Sequence, residues 1–232
     1  MYTIYLGNKN YSSWSLRGFV AMMLSGAPFT EVMVSLSGEA EPTASNRSFS
    51  PSGRVPCLHD DATVVWDSMA IAEYLAERHP AMWPADAAAR AWARSVAAEM
   101  HSGFSTLRNE MTMCIRERVD VRPWSSGLER DIARVVEIWN EGRQRHGAGG
   151  PFLCGAFTLA DAFYAPVAFR FRTYGVVPSG AAGTYLSDLL AHPFLRRWED
   201  AALKETAIIN ADEPRVIYRD KLAANGGSAT SP

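Results

Sequence analysis

The stretch V-V-W-D-S-M-A-I-A-E-Y-L, residues 64–75, decides the fold of this chain of 232 residues. It opens with an apolar pair, continues through Asp67 and Ser68, and then repeats apolar residues at helical spacing. Aspartate and serine are preferred helix N-caps, because their side chains accept hydrogen bonds from the free N–H groups of the first turn. The stretch therefore predicts a short strand leading into an amphipathic helix, which Pro80 terminates.

The residues just upstream predict a partner for that strand. Residues 54–60, R-V-P-C-L-H-D, form a second apolar run, separated from the first by an Asp-Asp-Ala turn, so the two runs are expected to form a hairpin. Pro56 has no N–H to donate to a sheet, which is compatible with an ordinary first strand position or with a cis turn. Residues 37–54 are rich in Ser, Gly, Pro and Glu and predict an irregular segment with at most one short helix.

The N-terminal residues add a strand, a helix and another strand. Residues 2–6 are rich in β-formers, and helical spacing starts at Trp14 and ends before the Gly-Ala-Pro sequence at 26–28. Residues 29–36 alternate again. A strand, helix, strand unit needs a crossover connection, so the two strands are expected to pair in parallel.

Beyond residue 85 the chain predicts helices only. Alanine-, arginine- and methionine-rich patterns indicate a helix at 86–118, a second at 126–146 and an amphipathic one at 192–206. The sequence T-L-A-D, residues 158–161, is typical of a capping box at the head of a buried helix.

The predicted organisation is an α/β unit followed by an all-α unit. The α/β unit covers residues 1–80, a linker covers 81–85, the helical unit covers 86–218, and residues 219–232 are expected to form a frayed tail with little apolar surface to bury.

Composition excludes several classes of function. The formal net charge is −2 and the basic residues are scattered, so nucleic acid is not an expected partner. No window resembles a membrane span or a secretory leader. Three cysteines without a C-x-x-C pair fit a reducing compartment, so we expect a cytoplasmic protein. The five histidines lack metal-ligand spacing, so no metal is expected.

The order of these segments resembles that of the cytosolic glutathione transferase family over nearly the whole chain. The resemblance is carried by Y-S-S-W-S-L-R at 11–17, V-P at 55–56, D-S-M-A-I-A-E-Y-L at 67–75 and T-L-A-D at 158–161. It implies a thioredoxin-like N-terminal domain, a helical-bundle C-terminal domain, a homodimer and a cis peptide bond at Pro56.

The start of the first helix is similar to the zeta-like and related serine-type classes, in which a serine hydroxyl activates the thiol of glutathione. The resemblance assigns this role to Ser12 or Ser13, with Ser12 preferred and Tyr11 as the alternative. Trp14 stands where the zeta motif S-S-C-S has cysteine, a difference that disfavours zeta-type isomerisation. Glutathione is implied as co-substrate, with no permanently bound cofactor.

The resemblance also implies contacts for the rest of glutathione. The backbone of Val55, beside Pro56, would hold the cysteinyl part, Asp67 with Ser68 the γ-glutamyl group, and Arg54 the glycyl carboxylate. A second substrate would lie between the domains, and the candidates for its pocket are Trp14, Met100, Phe104, Leu107 and Met111, although core packing is the expected role of most of them.

The expected activity is conjugation of the glutathione thiolate to small apolar electrophiles. A glutathione-dependent isomerase, dehalogenase or reductase on the same site is the alternative. A non-catalytic glutathione-binding or scaffold protein is the third possibility.

Overall fold

A computed structural model describes residues 1–36 and 44–224. A four-stranded sheet has the order β2-β1-β3-β4, formed by β1 (Tyr2–Gly7), β2 (Phe29–Val34), β3 (Cys57–Asp60) and β4 (Thr63–Val65). Strands β1 and β2 are parallel, whereas β3 is antiparallel to both β1 and β4. The predicted parallel pair and the predicted hairpin are both confirmed.

Three helices accompany the sheet: α1 (Ser13–Ser25), α2 (Ala44–Arg47) and α3 (Ser68–Arg78). Helix α1 ends at Gly26, which has φ 70° and donates its N–H to the carbonyl of Met23. That left-handed conformation is strained for residues with a Cβ, so a glycine is the favourable way to end the helix there. A 3-10 turn at Pro80–Met82 follows α3.

The second half of the chain is helical, as expected. Its helices are α4 (Ala87–Ser102), α5 (Ser105–Glu110), α6 (Ser126–Arg145), α7 (Leu159–Thr173), α8 (Gly180–Ala191), α9 (Pro193–Ala202), α10 (Pro214–Ile217) and α11 (Arg219–Ala224). The architecture is thus a thioredoxin-like α/β domain followed by a helical domain.

The prediction of one continuous helix over 86–118 is wrong. Helix α4 ends at Gly103, and Phe104 adopts a left-handed conformation with φ 58° before the short helix α5 begins. Glycine has a low helix propensity, and a left-handed residue cannot continue a right-handed helix. Residues 111–124 then run without regular helix.

Two further differences concern the C-terminal part. Helix α8 was not predicted, because G-A-A-G-T-Y begins with weak helix signals. Residues 219–224 form α11 rather than the start of a frayed tail, since Leu222 and Tyr218 pack against the core. The rest of the expected tail, 225–232, and part of the expected irregular segment, 37–43, lie outside the described residues.

Helix α1 lies at the centre of the molecule, where it packs against α3 and α7. A close approach to Pro56 depends on Gly18, because a Cβ at Gly18 would lie 2.9 Å from the Cβ of Pro56. Helix α1 therefore packs directly on the residue that precedes β3, and on the helical domain through α7.

The predicted capping box is confirmed at the start of α7, inside the core. The Asp161 carboxylate accepts hydrogen bonds from the backbone N–H of Thr158 at 2.7 Å and of Leu153 at 3.1 Å, and from the Tyr185 hydroxyl at 3.0 Å. Burial raises the pKa of Asp161 to about 6, although these donors oppose the shift.

Residues 203–218, here called the C-terminal strap, return to the α/β domain and cover the loop between β1 and α1. The Glu205 carboxylate accepts the backbone N–H groups of Lys9 at 2.7 Å and Asn10 at 3.0 Å. Arg116 donates to the carbonyls of Glu205 and Ala207, and so connects the strap to the helical domain. The loop that leads into α1 is thereby fixed from two sides.

We expect Asp161→Asn to lower the free energy of unfolding by about 3 kcal/mol at pH 7, where Asp161 is ionised, because an amide accepts with one oxygen and turns an N–H₂ group toward the same donors. Urea unfolding measures the change, with the exposed Asp200→Asn as the matched control.

The difference between wild type and Asp161→Asn should narrow with rising pH. The folded pKa of about 6 lies above the unfolded value, so the contribution of the aspartic acid is largest below pH 4 and declines as the pH rises through 6. A difference that grows over this range would contradict the assignment.

Candidate active site

Ser12 is the N-cap of α1, and its hydroxyl is fully engaged there. Its Oγ accepts the backbone N–H of Ser15 at 3.3 Å and donates its own proton to the Ser15 Oγ at 2.8 Å. The Ser15 Oγ in turn accepts the backbone N–H of Gly7 at 2.8 Å. These three contacts join the end of β1 to the first turn of α1 and use the Ser12 proton for structure.

Ser13, the first residue of α1, has a different environment. Its Oγ accepts a hydrogen bond from Nη2 of Arg170 on α7 at 3.3 Å. Within residues 1–36 and 44–224, no acceptor takes up the Ser13 proton. The Ser13 hydroxyl therefore keeps its proton available to a ligand, as does that of the fully buried Ser15, whose Oγ is an acceptor in both contacts described above.

Tyr11 points toward the C-terminal strap rather than toward a cleft. Its hydroxyl donates to Oε2 of Glu213 at 2.6 Å and accepts from Nη2 of Arg116 at 2.9 Å. Burial, followed by the Glu213 carboxylate, raises the pKa of Tyr11 to about 12. The structure thus commits the Tyr11 hydroxyl to fixing the strap.

Trp14 forms part of a cationic cluster. Its indole is 37% exposed and lies between the guanidinium groups of Arg17 at 4.8 Å and Arg108 at 4.6 Å from the ring centroid. The His101 ring contacts the same indole edge-on at 5.3 Å. Cations over an indole face are attracted by its quadrupole, so Trp14 keeps two positive side chains close together.

Arg17 is the most unusual member of this cluster. Its side chain is 2% exposed and lies between Trp14 and Phe163, and its buried Nε and Nη1 have no hydrogen-bond partner in the described part of the chain. Burial, together with the charges of Arg108 and Arg170, lowers its pKa well below the ordinary value. The Asp67 charge opposes this shift, but no carboxylate of residues 1–36 and 44–224 forms an ion pair with Arg17. A buried cation without an ion pair is costly, so the site has the electrostatic character of an anion site.

The start of α3 provides a second helix end. Asp67 is its N-cap and accepts the backbone N–H of Met69 at 2.9 Å, as the sequence predicts. Its other carboxylate oxygen lies 3.1 Å from Nε2 of His101 on α4. Burial lowers the pKa of His101, although the Asp67 charge opposes that shift.

Ser68 contributes an unsatisfied hydroxyl at the same helix end. Its side chain is fully buried, and its Oγ has no hydrogen-bond partner among residues 1–36 and 44–224. A buried polar atom without a partner costs free energy that a ligand group of suitable geometry recovers.

The Val55–Pro56 peptide bond is cis, as the resemblance implies. Pro56 is buried against α1 through Gly18, and Val55 is half-buried beside it. Arg54 is exposed at the edge of this segment, with its backbone N–H donated to the Ser52 Oγ at 3.3 Å. The structure therefore packs Pro56 against α1 at Gly18, with Val55 half-buried and Arg54 exposed just before it.

Four of the predicted pocket residues belong to the hydrophobic core instead. The buried core includes Met100, Phe104, Leu107 and Met111. Trp14 alone among the predicted pocket residues is exposed.

Sequence reasoning missed the residues that the helical domain brings to α1. Arg170 and Arg108 are distant in the chain from Ser13, and no local motif marks them. His101 likewise reaches Asp67 only through the packing of the two domains. Arg17 is visible in the sequence as part of S-L-R-G, but the sequence does not show that its side chain is buried.

Two possible features are not found in the described part of the chain. No group of three or more histidine, cysteine or carboxylate side chains is placed to hold a metal ion. No helix of residues 1–36 and 44–224 has the length and apolar character needed to cross a bilayer.

Comparisons with known proteins give the family. The model for the glutathione S-transferase N-terminal domain matches residues 11–78, and that for the C-terminal domain matches residues 122–201. Maleylpyruvate isomerase of a Ralstonia species is 35% identical over 214 residues, covering 85% of this chain and 92% of the relative. The chain belongs to the cytosolic glutathione transferase family.

Two further similarities agree with the fold. A probable maleylacetoacetate isomerase of Caenorhabditis elegans is 33% identical over 103 residues, a match that spans 44% of this chain and 47% of the relative. The crystal structure of a glutathione transferase homolog from Burkholderia with bound glutathione has a TM-score of 0.66 at 23% identity, covering 88% of this chain and 99% of that one.

We expect Tyr11→Phe to lower the free energy of unfolding by about 1–3 kcal/mol, because the buried Glu213 carboxylate and the Arg116 guanidinium both lose a partner. Chemical denaturation measures the effect. Tyr2→Phe is the matched control, since Tyr2 is a half-buried strand residue outside this network. A change no larger than that of the control would contradict the structural role of Tyr11.

Proposed function

We propose that the protein binds glutathione across the starts of α1 and α3, holds its thiol as a thiolate and uses that thiolate to attack a small electrophile. The single observation that carries the proposal is the Ser13 hydroxyl, which lies at a helix N-terminus with its proton uncommitted. The sequence alone preferred Ser12, but the contacts of Ser12 with Ser15 favour Ser13.

The energy required is within reach of this geometry. A free thiol has a pKa near ~8.5, and lowering that pKa by two units costs roughly 2.7 kcal/mol. A hydroxyl donating to a charged acceptor supplies about 1.5–3 kcal/mol, and a helix N-terminus adds about 0.3–1 kcal/mol. One serine at the start of α1 is sufficient.

The other glutathione contacts follow from the polar groups near these helix ends. The Asp67 carboxylate would take the γ-glutamyl ammonium, and the unpartnered Ser68 hydroxyl would donate to the adjacent carboxylate. Val55 would pair its backbone with the cysteinyl part. Arg54 would reach the glycyl carboxylate.

The reaction then proceeds in two steps. The thiol loses its proton to water or buffer, and the thiolate is stabilised by the Ser13 O–H. A sulfur electron pair forms the S–C bond while the leaving group departs with the electrons of the bond that breaks. A homodimer and a cytoplasmic location remain predictions from the resemblance.

We expect Ser13→Ala to reduce kcat/KM for conjugation about ten- to a hundredfold near neutral pH, because one charge-assisted hydrogen bond to the thiolate is lost. Ser12→Ala is the matched control. It should lower stability by about 1 kcal/mol through the lost cap, with a much smaller kinetic effect. The opposite ranking of the two variants would return the role to Ser12.

Isomerisation is the second candidate, and two observations favour it despite Trp14. One is the 35% identity to maleylpyruvate isomerase. The other is the cluster of Arg17 and Arg108 around Trp14, which suits a carboxylate-bearing substrate better than the apolar one expected from the sequence.

In an isomerisation the thiolate adds to one carbon of a cis double bond that is conjugated to a carbonyl. The displaced electron pair moves to the carbonyl oxygen, the former double bond rotates, and the returning pair expels the thiolate. Glutathione is regenerated, whereas conjugation consumes it.

We expect a cis-enedione carrying a carboxylate to be converted to its trans isomer with no loss of total glutathione. Proton NMR of the alkene together with a thiol assay separates the two reactions. Arg108→Met should raise KM for the acid about tenfold and leave KM for its methyl ester nearly unchanged, because only the acid needs the cation. Equal effects on acid and ester would contradict the charge argument.

A further inference from the structure

Arg170 connects the helical domain to the thiol-activating end of α1. It lies on α7, is 6% exposed, and donates from Nη2 to the Ser13 Oγ at 3.3 Å. The two residues are 157 positions apart in the chain, so this contact exists only because α1 packs against α7.

Other contacts fix the direction of the Arg170 guanidinium. Its Nη1 donates to the backbone carbonyl of Arg108 at 3.1 Å and to that of Met111. Both acceptors lie near the end of α5, where helical carbonyls lack intrahelical partners. A planar guanidinium held by Nη1 has little freedom at Nη2, which therefore stays directed at Ser13.

This arrangement restricts the directions in which the Ser13 O–H can point. A hydroxyl oxygen that accepts from Arg170 cannot direct its own hydrogen at the same nitrogen, so the O–H is turned elsewhere. A hydroxyl that accepts from a cation is also a better donor, because hydrogen bonds in series polarise one another.

Arg170 is charged at neutral pH. Burial and the neighbouring Arg108 lower its pKa, but only to about 10. The group that donates to the Ser13 Oγ is therefore a full cation at neutral pH, which strengthens the polarisation of that hydroxyl.

We infer that Arg170 is a positioning residue of the thiolate site, which directs and polarises the Ser13 O–H toward the sulfur of glutathione. This inference rests on the proposed function. It adds that the helical domain participates in activating glutathione and does not serve solely as the wall of a second-substrate pocket.

The test is the pKa of enzyme-bound glutathione, read from the ultraviolet absorbance of the thiolate as pH is varied. For the full-length Arg170→Met variant we expect that pKa to rise by about one unit. Conjugation at pH 6.5 should fall about tenfold and recover near pH 9, where the thiol ionises without help.

Arg172→Met is the matched control on the same helix. Arg172 pairs with Glu199 at 2.6 Å and has no contact with Ser13, so its removal perturbs α7 without changing the bound-thiol pKa. If Arg170→Met lowers the melting temperature but leaves the bound-thiol pKa at the wild-type value, Arg170 is merely structural and the inference is overturned.

Two further variants keep the test decisive. Arg170→Lys keeps a positive charge at this position and serves as the test if Arg170→Met fails to fold. It should raise the pKa of the bound thiol by less than Ser13→Ala does. A bound-thiol pKa equal to that of the wild type would overturn the inference. Combining Arg170→Met with Ser13→Ala should give no larger shift than Ser13→Ala alone, because Arg170 acts through that hydroxyl; additive shifts would contradict this.

Failure of the inference is distinguishable from failure of the proposed function. If wild-type protein binds glutathione but leaves its thiol pKa at the value in free solution, the proposed thiol activation itself is absent. If wild-type protein lowers that pKa and Arg170→Met lowers it equally, only the role of Arg170 is lost.

Discussion

The first turn of α1 has N–H groups without helical partners, and satisfying them is the constraint on which the site depends. The Ser12 Oγ accepts the backbone N–H of Ser15, and the Ser15 Oγ accepts the backbone N–H of Gly7 at the end of β1. This network fixes the angle at which α1 leaves the sheet. It also leaves the next residue, Ser13, without a structural task for its proton, so the same helix end provides both a cap and a donor.

Three buried ionisable side chains, those of Asp161, Arg170 and Arg17, have different surroundings. Asp161 is surrounded by donors and serves the core. Arg170 is satisfied by backbone carbonyls and one hydroxyl. Arg17 has aromatic rings on its faces and no acceptor for Nε and Nη1. The donors around Asp161 stabilise the fold, whereas the guanidinium of Arg17 leaves a positive potential beside the helix end where chemistry is proposed.

Local patterns predicted much of the fold. The strand, helix, strand unit, the hairpin, the Asp67 cap and the T-L-A-D box all depend on residues within a few positions of one another, and each appears in the structure. The break at Gly103–Phe104 was missed because apolar residues at helical spacing continue through it, at Met100, Phe104, Leu107 and Met111. For the site, the sequence predicted a role for Ser12 or Ser13 but not which of the two keeps an uncommitted proton. The hydrogen bonds of the two serines depend on side-chain directions and on Arg170.

The C-terminal strap has a consequence for how the protein is made. The N–H groups of Lys9 and Asn10, near the beginning of the chain, are satisfied by Glu205, which a ribosome adds almost two hundred residues later. Before Glu205 is added, the same loop accepts the backbone N–H groups of Leu36 on Asn8 and of Ile115 and Arg116 on Asn10. The loop that leads into α1 thus acquires its full set of hydrogen bonds only after most of both domains has been translated.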